Sequence, residues 1–194
     1  MDIKSTLMGL TFALIWSSAF TSARIIVQIA PPLSVSALRF LIAGLIACAI
    51  AYALGQRPKF TRQQWRGIII FGICQNAIYL GFFFVAMTRI EASFASILAS
   101  TMPLLVALAL LTVFREKLPT MGIIGLIIGF AGVTLIMGTR MTSGIDWIGV
   151  GLCALGVIAL TIATLSVKSA STGRNLLLVV GLQILVGSAA LAIP

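Results

Sequence analysis

Seven uninterrupted apolar runs divide this chain, at approximately 5–28, 33–54, 66–88, 92–114, 119–138, 147–167 and 175–194. Each is close to the ~20 residues that a helix needs to cross a ~30 Å hydrocarbon core at 1.5 Å per residue. In lipid only a helix or a closed barrel satisfies its own backbone, and these runs are too continuous for the alternation of barrel strands. The sequence therefore predicts an all-α, polytopic helical membrane protein with about seven transmembrane helices. Residues 1–28, with Lys4 ahead of an apolar stretch, have the general shape of a secretory signal. The stretch is long for one and six more spans follow it, so it reads as a permanent helix.

Composition removes whole classes of chemistry. Only 9% of the 194 residues are charged and 60% are hydrophobic, whereas an ordinary soluble domain is about 25% charged. The chain has no His, and Cys48, Cys74 and Cys153 lie inside apolar runs without ligand spacing. No metal, disulfide framework or cofactor is expected. The net charge of +9 is scattered between spans rather than massed on one polar face, which argues against nucleic acid. The expected partners are the bilayer and a small-molecule substrate, and association as a homodimer is left open.

The connectors are short and carry the breakers: Pro31-Pro32, the segment Gly55 to Arg62, Arg89 to Glu91, Arg115 to Lys117 with Pro119, Gly138 to Asp146, and Lys168 to Arg174. Adjacent helices therefore form antiparallel hairpins. With a cytoplasmic N-terminus, Lys4, Arg57, Lys59, Arg62, Arg66, Arg115, Lys117, Lys168 and Arg174 lie inside, and Arg24, Arg39, Arg89 and Arg140 outside. Nine of thirteen basic residues on one side favours that orientation. Seven crossings then leave Pro194 on the far side at the end of an apolar run, so the chain looks cut. A faint internal repeat agrees: Gly151-Leu152 through Thr161 and Thr164 slides onto Gly9-Leu10 through Ala19 and Ser22, with Gln183 near the counterpart of Arg39 and Gly187 near that of Gly44. A five-helix repeat is odd in number, so its second copy enters from the opposite side, the inverted arrangement of many secondary transporters.

These residues carry a family resemblance. Trp16 and Phe20 with Pro31-Pro32, Leu38-Arg39-Phe40, and the run from Ala86 through Ala92, Ala95 and Pro103-Leu104 to Glu116-Lys117-Leu118, then Gly125, Gly129 and Gly132, resemble the drug/metabolite transporter superfamily. Within it, the closest likeness is to the bacterial inner-membrane group built from two five-helix EamA-type domains. The resemblance implies one complete domain at 5–138 and the first two helices of a second, incomplete one at 147–194. It implies an inverted five-helix repeat and a carrier with a central cavity.

Polar groups inside a bilayer are costly unless they meet other helices or a wet cavity. Gln75, Asn76 and Tyr79 lie near the middle of the third span, and α-helical spacing puts them on one face with Gly72 and Phe83. They are a candidate pathway stripe, with interhelical hydrogen bonding as the plainer alternative. Phe12, Trp16 and Phe20 recur every fourth residue of the first span, and Trp16 is too deep for an interfacial belt. Under the resemblance Trp16 looks into the central cavity. Ser100, in the fourth span, completes the substrate-contacting set.

Pro103 should bend the fourth helix and free a carbonyl. Gly125, Gly129 and Gly132 allow close helix approach. Arg24 and Arg39 lie near the outer ends of their helices, Arg39 ~9 Å deep; they are interfacial anchors or a basic mouth for carboxylates and phosphates.

No Asp or Glu falls in the middle of any span. Small multidrug exporters of the same superfamily use a membrane carboxylate to bind lipophilic cations and protons, so that role is disfavoured. An intramembrane enzyme would need a base to activate its Ser and Thr hydroxyls, and none is placed to do so. The expected function is a secondary transporter, an exporter of small polar metabolites such as amino acids across the inner membrane by alternating access. A membrane assembly or scaffold protein without solute flux is the other alternative.

Overall fold

The structure is a computed structural model and describes residues 3–140, 146–166 and 175–192. Lys168, Arg174 and Pro194, used above for topology and for the chain's end, lie outside the described residues, as does the side chain of Arg140. The described residues form α1 (Ile3–Ile29), α2 (Pro32–Ala53), α3 (Arg62–Phe71), a π-helical segment (Gly72–Tyr79), α4 (Leu80–Ala86), α5 (Ala92–Ala99), α6 (Met102–Thr112), α7 (Thr120–Arg140), α8 (Trp147–Ser166) and α9 (Leu176–Leu191). Six spans are long and apolar enough to cross a membrane, counting Arg62–Ala86 and Ala92–Thr112 as single units, and Leu176–Leu191 is a shorter seventh. The protein is an all-α, polytopic membrane protein.

Boundaries follow local chemistry. The third span begins at Arg62, four residues before its apolar run, because Thr61 and Gln64 form a reciprocal capping box. Pro32 opens α2, where its missing N–H costs nothing. Gly55, at φ 78°, ends α2 in a left-handed conformation. There the amides of Gly55 and Gln56 bond back to the carbonyls of Tyr52 and Ala51, closing the last turn of α2 as glycine readily allows.

The fourth span is not one helix. Pro103 stands in the first turn of α6 and has no N–H for the carbonyl of Ala99. The break falls at Ser100-Thr101, where the Thr101 amide takes the tighter bond to Leu98 O at 3.1 Å.

The core lies where the third span meets α5 and α8, around Tyr79, Phe83, Phe84, Met87, Phe94, Cys153, Val157 and Leu160. A second core joins α2 to α9 through Cys48, Ala51 and Leu178. There the backbones come close: a methyl on Gly44 would stand 2.7 Å from Leu185 Cγ, and one on Gly181 2.7 Å from Cys48 Sγ, the small-residue contact that membrane helices use. Polar ties secure the same pair. Ser188 Oγ donates to Ala37 O at 2.7 Å, and the Leu178 amide donates to Gln56 Oε1 at 2.9 Å.

Of the α7 glycines, Gly129 faces Leu104, while a methyl on Gly125 or Gly132 would meet no described residue within 4 Å. Of the three α7 positions only Gly129 therefore marks a close approach among the described residues, and others lie on α2–α9 and on the third span and α8.

Candidate functional site

The third span changes its winding where the pathway stripe was drawn. Gly72–Tyr79 is π-helical, a form that widens the turn and recurs at functional sites. This segment lies against α8 and α9, and the wider turn departs from the α-helical spacing from which a single face was inferred. Asn76 is 6% exposed and its Nδ2 donates to the backbone carbonyl of Gln183 on α9 at 2.9 Å. Gly72 and Gly187 make the approach possible, because a methyl on Gly72 would stand 2.6 Å from Gln183 O and one on Gly187 would collide with Asn76 Cβ. Gln75 is half-buried, and Tyr79 is 1% exposed.

One face of this span, together with α1 and α2, lines a half-open cavity of about 70 Å³. Trp16, Ala19, Phe20 and Ala23 of α1 form one wall, Arg39 of α2 a second, and Tyr79, Leu80, Phe83, Phe84 and Met87 the third. The aromatic rings brace one another: Tyr79 and Phe83 have centroids 4.6 Å apart, and Phe20 meets Phe83 edge-on at 6.2 Å. The Arg39 guanidinium lies 5.0 Å from the Phe40 ring centre and 5.4 Å from that of Phe84, a cation–π arrangement.

The structure thus brings together Trp16, Tyr79 and Arg39. Gln75, Asn76 and Ser100 are not in this cavity wall. Ser100 is exposed, and its hydroxyl donates to Ile97 O of its own helix at 2.7 Å. Arg24 reaches from α1 to the carbonyl of Met87, the residue capping the C-terminus of α4, where a cation meets both an unpaired carbonyl and the negative end of the helix dipole.

Sequence reasoning missed Leu80, Phe84 and Met87 as cavity residues, and, having read Arg39 as an interfacial anchor or part of a basic mouth, it did not foresee the two rings beside it. The available signal was the adjacency of Arg39 and Phe40. It also missed Arg89, whose guanidinium pairs with Asp146 at 2.9 Å. Asp146 in turn accepts from the amides of Ile148 and Gly149 at the start of α8. The hydrogen bond from Arg89, then that from the Gly149 amide, holds the Asp146 carboxyl below the usual carboxylate range.

Comparison with known proteins gives a consistent answer. The sequence model of the EamA-like transporter family matches residues 3–138. An uncharacterized transporter of Synechocystis sp. is 26% identical over 178 residues, covering 85% of this chain and 53% of the relative. The aromatic amino acid exporter YddG of Ancylobacter novellus is 30% identical over 137 residues, covering 71% of this chain and 47% of the relative. The uncharacterized inner membrane transporter YedA of Escherichia coli K12 is 30% identical over 156 residues, covering 79% and 50%. The chain spans about half the length of these relatives. No solved structure gives a significant match.

Proposed function

Because the chain belongs to the EamA-like transporter family, we propose that it supplies the substrate cradle of an alternating-access carrier that exports small polar metabolites. In this reading residues 5–138 are one five-helix domain and residues 147–194 open a second, inverted one. The protein sits in the inner membrane with its N-terminus in the cytoplasm, and the two halves rock about a central cavity. Family and relatives point to a carrier rather than an enzyme.

The observation that supports the reading is the aromatic-walled cavity between α1, α2 and the third span, concave and mostly apolar as small-molecule sites are. Trp16 and Tyr79 line it from two different helices, as a solute-binding surface requires. One relative is named an aromatic amino acid exporter, which makes amino acids the first cargo to try.

The test is efflux from vesicles carrying the full-length protein and loaded with a metabolite panel. Saturable flux of at least one solute, reduced by Trp16→Ala, is the expected result. Absence of flux for every solute, in a protein that inserts and stays monodisperse, would favour an assembly role and overturn the reading.

A further inference from the structure

The charge of this chain is densest in the connector from α2 to α3. Four of the ten residues 57–66 are basic, and no acidic residue occurs between Asp2 and Glu91. The connector is firmly held. The Leu178 amide on α9 donates to Gln56 Oε1 at 2.9 Å, Asn175 Nδ2 donates to Arg57 O at 3.2 Å, and the capping box of Thr61 and Gln64 fixes the start of α3. Arg57 itself turns back onto α2, where Nη1 donates to Tyr52 O at 3.3 Å and the guanidinium lies 5.8 Å from the Tyr52 ring centre.

Beyond it, Arg62, Trp65, Arg66 and Ile69 follow at intervals of three and four residues along α3 (Arg62–Phe71), so they share one side of that helix. All four are exposed. Arg62 opens the membrane-spanning unit Arg62–Ala86, which sets this side at the bilayer boundary. Trp65 is fixed there: it meets Phe60 edge-on at 5.6 Å, and Phe60 packs on the α2–α9 core. Going into the membrane, the side passes from two guanidiniums through an indole to an aliphatic side chain. A phospholipid has the matching order of phosphate, glycerol and acyl chain, and indoles settle at the level between headgroup and hydrocarbon. Two residues one turn apart have Cβ atoms about 6 Å apart, and like charges at that spacing repel. One phosphate shared between the two guanidiniums turns this repulsion into two charge-assisted contacts.

From this arrangement we propose that the start of α3 is a binding site for an anionic phospholipid, with Arg62 and Arg66 on the phosphodiester, Lys59 adding charge from the connector, and Trp65 and Ile69 against the glycerol and acyl chain. The inference rests on the membrane location of the chain and not on the carrier reading, so the two stand or fall separately.

The experiment strips the full-length protein of lipid in a neutral detergent and adds dioleoylphosphatidylglycerol, dioleoylphosphatidylcholine or inorganic phosphate, with bound lipid counted by native mass spectrometry. Phosphatidylcholine has the same phosphodiester and chains but carries its own ammonium. The wild type should bind phosphatidylglycerol about thirtyfold more tightly than phosphatidylcholine, the worth of two basic residues at an anionic surface. Arg62→Gln with Arg66→Gln should remove that preference and leave phosphatidylcholine binding unchanged. Arg115→Gln with Lys117→Gln, which takes the same charge from another connector, should keep it.

Equal binding of the two lipids by the wild type overturns the proposal without needing any variant to fold. So does a preference that survives in a folded Arg62→Gln, Arg66→Gln protein, or one lost equally in the Arg115→Gln, Lys117→Gln protein, where net charge alone would be acting. Displacement of phosphatidylglycerol by an equal concentration of inorganic phosphate would make this a site for the free anion and overturn the lipid assignment. Loss of lipid preference in a protein that still transports removes only this inference, whereas lipid preference without flux removes only the carrier reading.

Discussion

Gly187→Ala adds one methyl group and should destabilise the protein. Gly187 lies on α9 where it crosses the π-helical segment, and a methyl there would collide with Asn76 Cβ and stand 3.1 Å from the carbonyl oxygen of Gly72. Neither atom is the loose end of a long side chain, so the helices themselves must separate. Overpacking of this kind costs about 1–3 kcal/mol. Displacing Asn76 also loses its bond to Gln183 O, worth about 0.6 kcal/mol in a membrane protein. Alanine recovers about 1 kcal/mol of helix propensity. The balance is a loss of about 0.6–2.6 kcal/mol, or roughly 1–10 °C in unfolding temperature for a chain of this size. Gly125→Ala is the control, because a methyl at that position meets no described residue within 4 Å, and it should unfold no lower than the wild type. Thermal unfolding in detergent, read as the monodisperse fraction on size exclusion, measures both. A Gly187→Ala protein as stable as the wild type, or a Gly125→Ala protein that falls as far, would refute the reasoning.

Three further outcomes follow. Asn76→Leu should lower the unfolding temperature and spare flux at saturating substrate, since the amide donor is already engaged by Gln183 O; loss of flux in a stable protein would put Asn76 in the substrate path. The bond from Arg89 depresses the Asp146 carboxyl, so its stabilising effect is present above the unfolded-state value of about 3.9 and is lost as pH falls through the lower folded value. Asp146→Asn should therefore unfold below the wild type at neutral pH, and the gap should close in strong acid; a gap unchanged down to pH 2 would rule the carboxylate out as its cause. Reporter fusions should place residues 55–64 in the cytoplasm and residues 139–146 outside, and a cytoplasmic signal from the second site would undo the inverted-repeat assignment.

The spans were legible in the sequence because lipid imposes one rule on every segment, and Pro103 was legible because a missing N–H acts within its own helix. What could not be read is how each helix is rotated against partners far away in the chain. Asn76 meets a carbonyl 107 residues later, and no feature of the third span names that partner. The π-helical winding was hidden for a related reason, since counting by 3.6 assumes the regular helix that close contact with α8 and α9 accompanies with a wider turn. Arg24 and Arg39 looked alike as basic residues near helix ends. Their neighbours separate them: one caps the end of α4 through Met87, the other lies over two rings in a cavity wall.

The cavity walls are held unequally, and this bears on how a solute gains access. The wall formed by α2 belongs to a unit fastened to α9 by close backbone contacts at Gly44 and Gly181 and by the Ser188–Ala37 and Gln56–Leu178 bonds. The third-span wall is tied to α9 through Asn76 and Gln183 and buried against α8. In α1 only Ala23 and Val27 are buried, and its polar tie to the third span is the bond from Arg24 to Met87 O. Segments with few buried contacts open at lower free energy than those in a packed core. Among the described residues, then, the wall carrying Trp16 and Phe20 is the one least restrained by its neighbours, while Arg39 and Tyr79 stand on the restrained side. Opening of the cavity should therefore begin at the α1 wall, while the walls carrying Arg39 and Tyr79 stay in place.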